Sequence, residues 1–208
     1  MIIAVLSSGD SVATGLLLAM LPQCGSIIAA DRGLLLLEGS GLTADLLVGD
    51  LDSLQGTDWR HLTREVLALS TDKDLSDTDE AVHQAVLLHP SEIWLFGGSG
   101  GRMDHWLSNV RLVERTPLVR QWFTSEDRIF RLQAGDHLHL MPGRASFFPL
   151  GRAPWRLRSS GLSWPLDLVD FEVWHSLSNS VAETGGDLWI ESGVFLCFQA
   201  SFDEESKA

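Results

Sequence analysis

Four short stretches of this 208-residue chain combine residue types suited to metal and phosphate chemistry. Gly49-Asp50-Leu51-Asp52-Ser53 follows an apolar run. Two carboxylates two residues apart at the carboxyl end of a strand can share a hard cation such as Mg²⁺ with phosphate oxygens and water. The same residues also read as a solvated polar turn. In Lys73-Asp74-Leu75-Ser76-Asp77-Thr78-Asp79-Glu80, Ser76 and Asp79 have capping-box spacing, and Asp77 and Asp79 suit a helix N-terminus. Capping explains the acids and the serine but not the lysine. The chain has 13 Arg and only two Lys, the other being the penultimate Lys207. A compact ammonium among carboxylates stays charged and reaches a phosphate, which marks Lys73, Asp74 and Asp77 as a functional group. Gly97-Gly98-Ser99-Gly100-Gly101-Arg102-Met103-Asp104-His105 joins a strand to a helix. Its glycines let backbone approach a ligand, amides at the helix start favour anions, and Arg102 can fork onto a phosphate. Asp104 and His105 fall off the apolar stripe of that helix; a flexible loop before a solvated face is the plainer reading. The glycines do not follow Gly-x-Gly-x-x-Gly. Asp31, in Ala30-Asp31-Arg32-Gly33, can cap a helix or hold a ribose or a metal-bound water.

These stretches need elements to hold them. Apolar runs at 2–6, 26–30, 45–48, 65–69, 92–96 and 118–123 predict strands, and stripes over 77–89 and 103–115 predict helices. Their alternation predicts an α/β domain over 1–132 with a doubly wound, mostly parallel sheet, whose ligands bind beyond the carboxyl ends of the strands. From about residue 131 the period shortens, with runs at 137–141, 145–149, 171–175, 187–191 and 194–199. These predict a C-terminal antiparallel β-sandwich over 133–202, followed by a disordered tail over 203–208.

Composition narrows the chemistry. The net charge of −13 argues against a nucleic-acid partner held by a generic basic surface. It is uneven: residues 1–104 hold 15 acidic and five basic groups, whereas 105–208 hold 13 and ten. There is no Tyr to act as an acid and no Gly-x-x-x-x-Gly-Lys phosphate loop. Cys24 and Cys197 have no Cys or His at metal-ligand spacing. The start of the chain lacks a basic leader, and no apolar run approaches the roughly 18 residues of a membrane span. A cytoplasmic protein with no membrane partner is expected. His137 and His139 alternate on one strand and suit its outward face better than a metal site. Trp164, in a turn before Pro165, is placed to present its ring for stacking.

Taken in order, these pieces resemble thiamine pyrophosphokinases. That family's pattern runs Ala-Asp-Gly-Gly, Gly-Asp-x-Asp-Ser, Lys-Asp-x-Thr-Asp and Gly-Gly-Arg-x-Asp-His with a Leu-x-Asn after it. Here the counterparts are Ala30-Asp31-Arg32-Gly33, Gly49-Asp50-Leu51-Asp52-Ser53, Lys73-Asp74-Leu75-Ser76-Asp77 and Gly100-Gly101-Arg102-Met103-Asp104-His105 with Leu107-Ser108-Asn109. The resemblance covers 30–109 and extends loosely to 161–166 and to Ser178-Asn179. It implies ATP and Mg²⁺, and a homodimer whose thiamine site lies between one subunit's α/β domain and the other's sandwich. It implies Asp50, Asp52 and Asp77 around metal and phosphate. It further implies Lys73, Asp77 and Arg102 in catalysis, Asp31, Arg32, Asp74, Gly100, Gly101 and Arg102 on the nucleotide, and Asp104, His105, Trp164, Ser178 and Asn179 toward thiamine. Two residues depart from the pattern. Arg32 stands where the family has Gly, which either removes a nucleotide contact or adds a phosphate ligand. Ser76 replaces Thr and keeps the hydroxyl. The implied reaction moves diphosphate from ATP to the thiamine hydroxyl. The same transfer to another alcohol such as a hydroxymethylpterin, a non-catalytic nucleotide or thiamine sensor, and a haloacid-dehalogenase-type phosphatase are the alternatives.

Overall fold

The structure, a computed structural model, describes residues 1–9, 11–72 and 74–200. Lys73 and the expected disordered tail therefore lie outside the described residues. The chain divides into two compact units, 1–125 and 126–208.

The first unit alternates strands and helices: β1 (Ile2–Ser7), α1 (Thr14–Met20), β2 (Ser26–Ala30), β3 (Ala44–Gly49), β4 (Thr63–Ala68), α2 (Asp77–Leu87), β5 (Glu92–Gly97), α3 (Met103–Arg115) and β6 (Val119–Phe123). The strands run in the order β6-β5-β1-β2-β3-β4, all parallel. Central strands are buried almost end to end, as a sheet covered on both faces requires. Ala4, Leu6, Ala29, Leu47 and Phe96 pack with Leu17 of α1 and with Leu34 and Leu37 of a 3₁₀ turn, Asp31–Leu37. On α2, Ala81, Val82 and Ala85 are buried in turn. Every predicted strand and both predicted helices of this unit are present. The sequence reading missed α1 and the 3₁₀ turn, whose clustered leucines show no helical period. Sheet order reverses between β1 and β5, and this crevice is where such sheets bind ligands.

The second unit holds β7 (Asp127–Gln133), β8 (His137–Leu140), β9 (Gly143–Leu150), β10 (Arg156–Ser160), β11 (Ser176–Val181), β12 (Gly186–Ser192) and β13 (Val194–Ala200). They form two antiparallel sets, β11-β9-β13-β7 and β10-β12-β8. Alternate residues from both sets, among them Phe147, Phe195, Leu157, Leu188 and Ile190, build one core. The unit begins ahead of the boundary expected after residue 132, because β7 pairs with β13. The strand expected at 171–175 is a correction. Asp170 turns the chain there: its side chain accepts from the Glu172 N–H at 3.0 Å, and its carbonyl accepts from Trp174 at 2.8 Å. The strand then starts at Ser176. Apolar alternation at Phe171 and Val173 imitates a strand, but the Asx-turn prevails locally. Among the described residues, no helix is long and apolar enough to cross a membrane.

Candidate active site

The described residues of the four stretches singled out by residue type lie at the carboxyl edge of the sheet of the first unit. Asp31 follows β2, Asp50 follows β3, and Asp77 opens α2. One carboxylate oxygen from each lies within 4.8 Å of the others. The expected trio was Asp50, Asp52 and Asp77; the carboxylates that converge are Asp31, Asp50 and Asp77. Leu51 adopts a left-handed φ of 63° and swings Asp52 into a 3₁₀ turn, where its N–H donates to Asp50 Oδ1 at 3.3 Å. Asp31 is also left-handed, with φ 45°. Such backbone strain is typical where a side chain must be aimed.

The electrostatics of the trio favour a cation. Desolvation pushes the Asp31 carboxyl above its ordinary range, and the nearby Asp77 and Asp50 add to this. A hydrogen bond from Ser53 Oγ to Asp31 Oδ2, 2.6 Å, and one from the Arg32 amide work the other way. Asp31 Oδ1 is buried and has no hydrogen-bond partner among the described residues. A hard all-oxygen donor set with one unsatisfied buried lone-pair site fits Mg²⁺. Arg32 closes the rim, its guanidinium donating to the Ser53 carbonyl at 3.3 Å.

Asp77 is held from two sides. Ser76 caps α2 by accepting from the Asp79 N–H at 3.1 Å, and the Asp79 carboxylate accepts from the Ser76 N–H at 3.3 Å. The predicted capping box is thus present. Asp79 also pairs with Arg115, at the far end of α3. Behind Asp77, the buried Thr78 hydroxyl hydrogen-bonds the buried Ser7 hydroxyl at the end of β1, 2.7 Å. The sequence reading missed this pair, since nothing local links residues 71 positions apart. Asp74 is exposed in the segment before α2.

Beside the trio, Ser7, Ser8, Ser76, Thr78, Asp104, His105, Ser108 and Asn109 line a cavity of about 140 Å³. Gly100 and Gly101 have left-handed φ values of 71° and 63°, and Arg102 precedes α3 as its N-cap. Arg102 forks onto Asp104, with Nε to Oδ1 at 3.1 Å and Nη2 to Oδ2 at 2.5 Å. The pairing raises the Arg102 pKa and lowers that of Asp104, through the hydrogen bonds and charge between them.

Trp164, Ser178 and Asn179 meet in the second unit. The Asn179 side chain accepts from the Trp164 N–H at 3.2 Å and donates to the Trp164 carbonyl at 2.7 Å. Asn179 is 1% exposed, so it fixes the loop, while Trp164 is 63% exposed. Ser178 is left-handed, φ 55°, and its N–H donates to Ser146 Oγ at 2.9 Å. His137 and His139 face outward, and both hydrogen-bond Asp187 Oδ1, at 2.9 and 3.2 Å.

The chain is similar in sequence and in fold to known proteins. The chain is 24% identical over 191 residues to thiamine pyrophosphokinase of Bacillus subtilis, covering 84% of this chain and 86% of that one. It is 26% identical over 173 residues to thiamine pyrophosphokinase 1 of Arabidopsis thaliana, covering 76% and 65%. The crystal structure of thiamine pyrophosphokinase from Bacillus subtilis superposes with a TM-score of 0.75 at 20% identity, over 97% of this chain and 99% of that one. Residues 18–121, which contain the aspartate trio and the glycine loop, match the family model for the thiamin pyrophosphokinase catalytic domain, and the chain belongs to that family.

Proposed function

We propose that the protein is a Mg²⁺-dependent thiamine pyrophosphokinase that converts ATP and thiamine to AMP and thiamine diphosphate. The observation that carries this reading is the convergence of Asp31, Asp50 and Asp77 at the carboxyl edge of the sheet, within the segment that matches the family. The thiamine hydroxyl oxygen bonds to the β-phosphorus of ATP, the bond from that phosphorus to the α-phosphate oxygen breaks, and AMP leaves with the electron pair. The hydroxyl proton passes to a carboxylate at this edge. Mg²⁺ held by the three aspartates would neutralise phosphate oxygens. The protein's own part is positioning and charge. Arg102, whose guanidinium is cationic at any working pH, and Lys73 offset charge on the transferred group and on AMP. Asp31, Arg32, Asp74, Gly100 and Gly101 lie on the nucleotide side; Asp104 and His105 face thiamine from the cavity they line.

The reading assigns ATP, catalysis and the Asp104 and His105 contacts to the first unit, and the remaining thiamine contacts and dimerisation to the second. Trp164, Leu168, Val173, Trp174 and Leu177 are all more than 60% exposed, an apolar group suited to a flat ring and to a second copy of the chain. A homodimer that shares its sites, in a cytoplasmic setting with neither nucleic acid nor membrane as partner, completes the proposal. Incubating the protein with Mg²⁺, ATP and thiamine tests it. AMP and thiamine diphosphate in equal amounts are expected. Release of ADP or inorganic phosphate, or tight binding with no turnover, overturns it.

A further inference from the structure

The glycine loop has a fixed half and an open half. Gly97 and Gly98 both adopt left-handed backbone, φ 74° and 71°. Their carbonyls turn toward the interior, and each meets one buried side-chain donor. Trp122 Nε1 of β6 donates to the Gly97 carbonyl at 2.6 Å, and Asn109 Nδ2 of α3 donates to the Gly98 carbonyl at 2.8 Å. Trp122 is 1% exposed and Asn109 6%. The Gly98 N–H donates to the Ser8 carbonyl at 3.1 Å. The seat is full: a Cβ on Gly97 would stand 2.3 Å from the Ser7 carbonyl oxygen, and one on Gly98 2.6 Å from Asn109 Nδ2. A Cβ on Gly101, three residues further on, would meet nothing within 4 Å. Among the described residues, Asn109 and Trp122 thus anchor the buried half of the loop, ahead of the open Gly101 that leads to Arg102.

An isolated buried carbonyl is costly, so a loop deprived of these donors moves to find another partner. Resting on the pyrophosphokinase reading above, we propose that Asn109 and Trp122 are positioning residues. They set the height of the glycine loop and, through it, the place of Arg102 against the transferred phosphates. Neither touches a reacting atom.

Trp122→Phe keeps the aromatic packing and removes the N–H; Asn109→Leu keeps the volume and removes the amide. Each is expected to remain folded and to lower kcat/KM for ATP about ten-fold or more, since small misplacements of charge-stabilising groups are expensive. The KM for thiamine is expected to hold in Trp122→Phe, since Trp122 does not line the cavity that Asn109 shares with Asp104 and His105. Asn109→Asp separates positioning from simple packing. An ionised carboxylate repels the Gly98 carbonyl, whereas the protonated acid donates to it, and burial favours the protonated form. Its activity relative to wild type is expected to climb as the pH falls from about 8 to about 6. A flat ratio, or unchanged kcat/KM in both other variants, overturns the proposal. If the wild type makes no thiamine diphosphate, the functional reading fails by itself. Hydrogen exchange at the Gly98 amide then decides: faster exchange in Asn109→Leu supports the anchor, and unchanged exchange removes it.

Discussion

Asp31 shows how a single side chain links stability to function. Its carboxyl is held above the ordinary range mainly by desolvation, so the native state binds this proton more tightly than the unfolded chain does. The group therefore lowers stability as pH rises from its unfolded pKa through the raised native one. Asp31→Asn is expected to raise the melting temperature at neutral pH in metal-free buffer, and to lose that advantage below about pH 4, where the wild-type acid is protonated in both states. The same variant should no longer be stabilised by added Mg²⁺, which thermal melts would check. Asp50→Ala should lower turnover by about 100-fold or more, as loss of a metal ligand implies. Asp52→Ala should cost clearly less, because Asp52 lies outside the converging trio. Equal losses in steady-state assays would return Asp52 to the metal site. Lys73→Arg tests the one lysine in the body of the chain; full activity would remove its special role. The aspartates were legible from type and spacing, but their grouping was not. Local sequence put Asp50 beside Asp52, whereas the left-handed Leu51 and Asp31 turn one carboxylate away and bring another in.

At the scale of elements, the site depends on where α2 and α3 begin. The capping box at Ser76 fixes the first turn of α2 and with it Asp77. Ser76→Ala is expected to lower stability by about 1 kcal/mol, the usual loss for an N-cap, with a parallel fall in Mg²⁺ affinity. Denaturant titration and calorimetric titration with Mg²⁺ would read the two effects. An unchanged Mg²⁺ affinity would show that the Thr78–Ser7 bond alone holds Asp77. Here the sequence was read well, because a capping box lies within four residues. It was read poorly at 171–175, where an aspartate's local hydrogen bonds prevail over an alternating apolar pattern.

For the whole molecule, the proposed dimer rests on apolar side chains that one chain leaves in water. Replacing the 97% exposed Leu168 and the 66% exposed Trp174 together by Asp should leave the fold of a single chain intact. Sedimentation should then show monomer, and thiamine diphosphate synthesis should fall. A variant that remains a dimer would exclude this surface as the contact. The charge of −13 belongs to this scale too: part of it is the aspartate trio, which a divalent cation would partly neutralise. By itself, the sequence determined the alternation of strands and helices, the carboxyl edge as the place of chemistry, and the residue types found there. Periodicity, capping and motif spacing are local properties, readable within a few turns of chain. Only the tertiary structure decided which carboxylates meet, that Ser7 supports Thr78, that Asn109 and Trp122 hold the glycine loop, and that Asn179 serves the Trp164 loop. Those contacts join residues far apart in sequence, and sheet order together with backbone strain at single residues selects them.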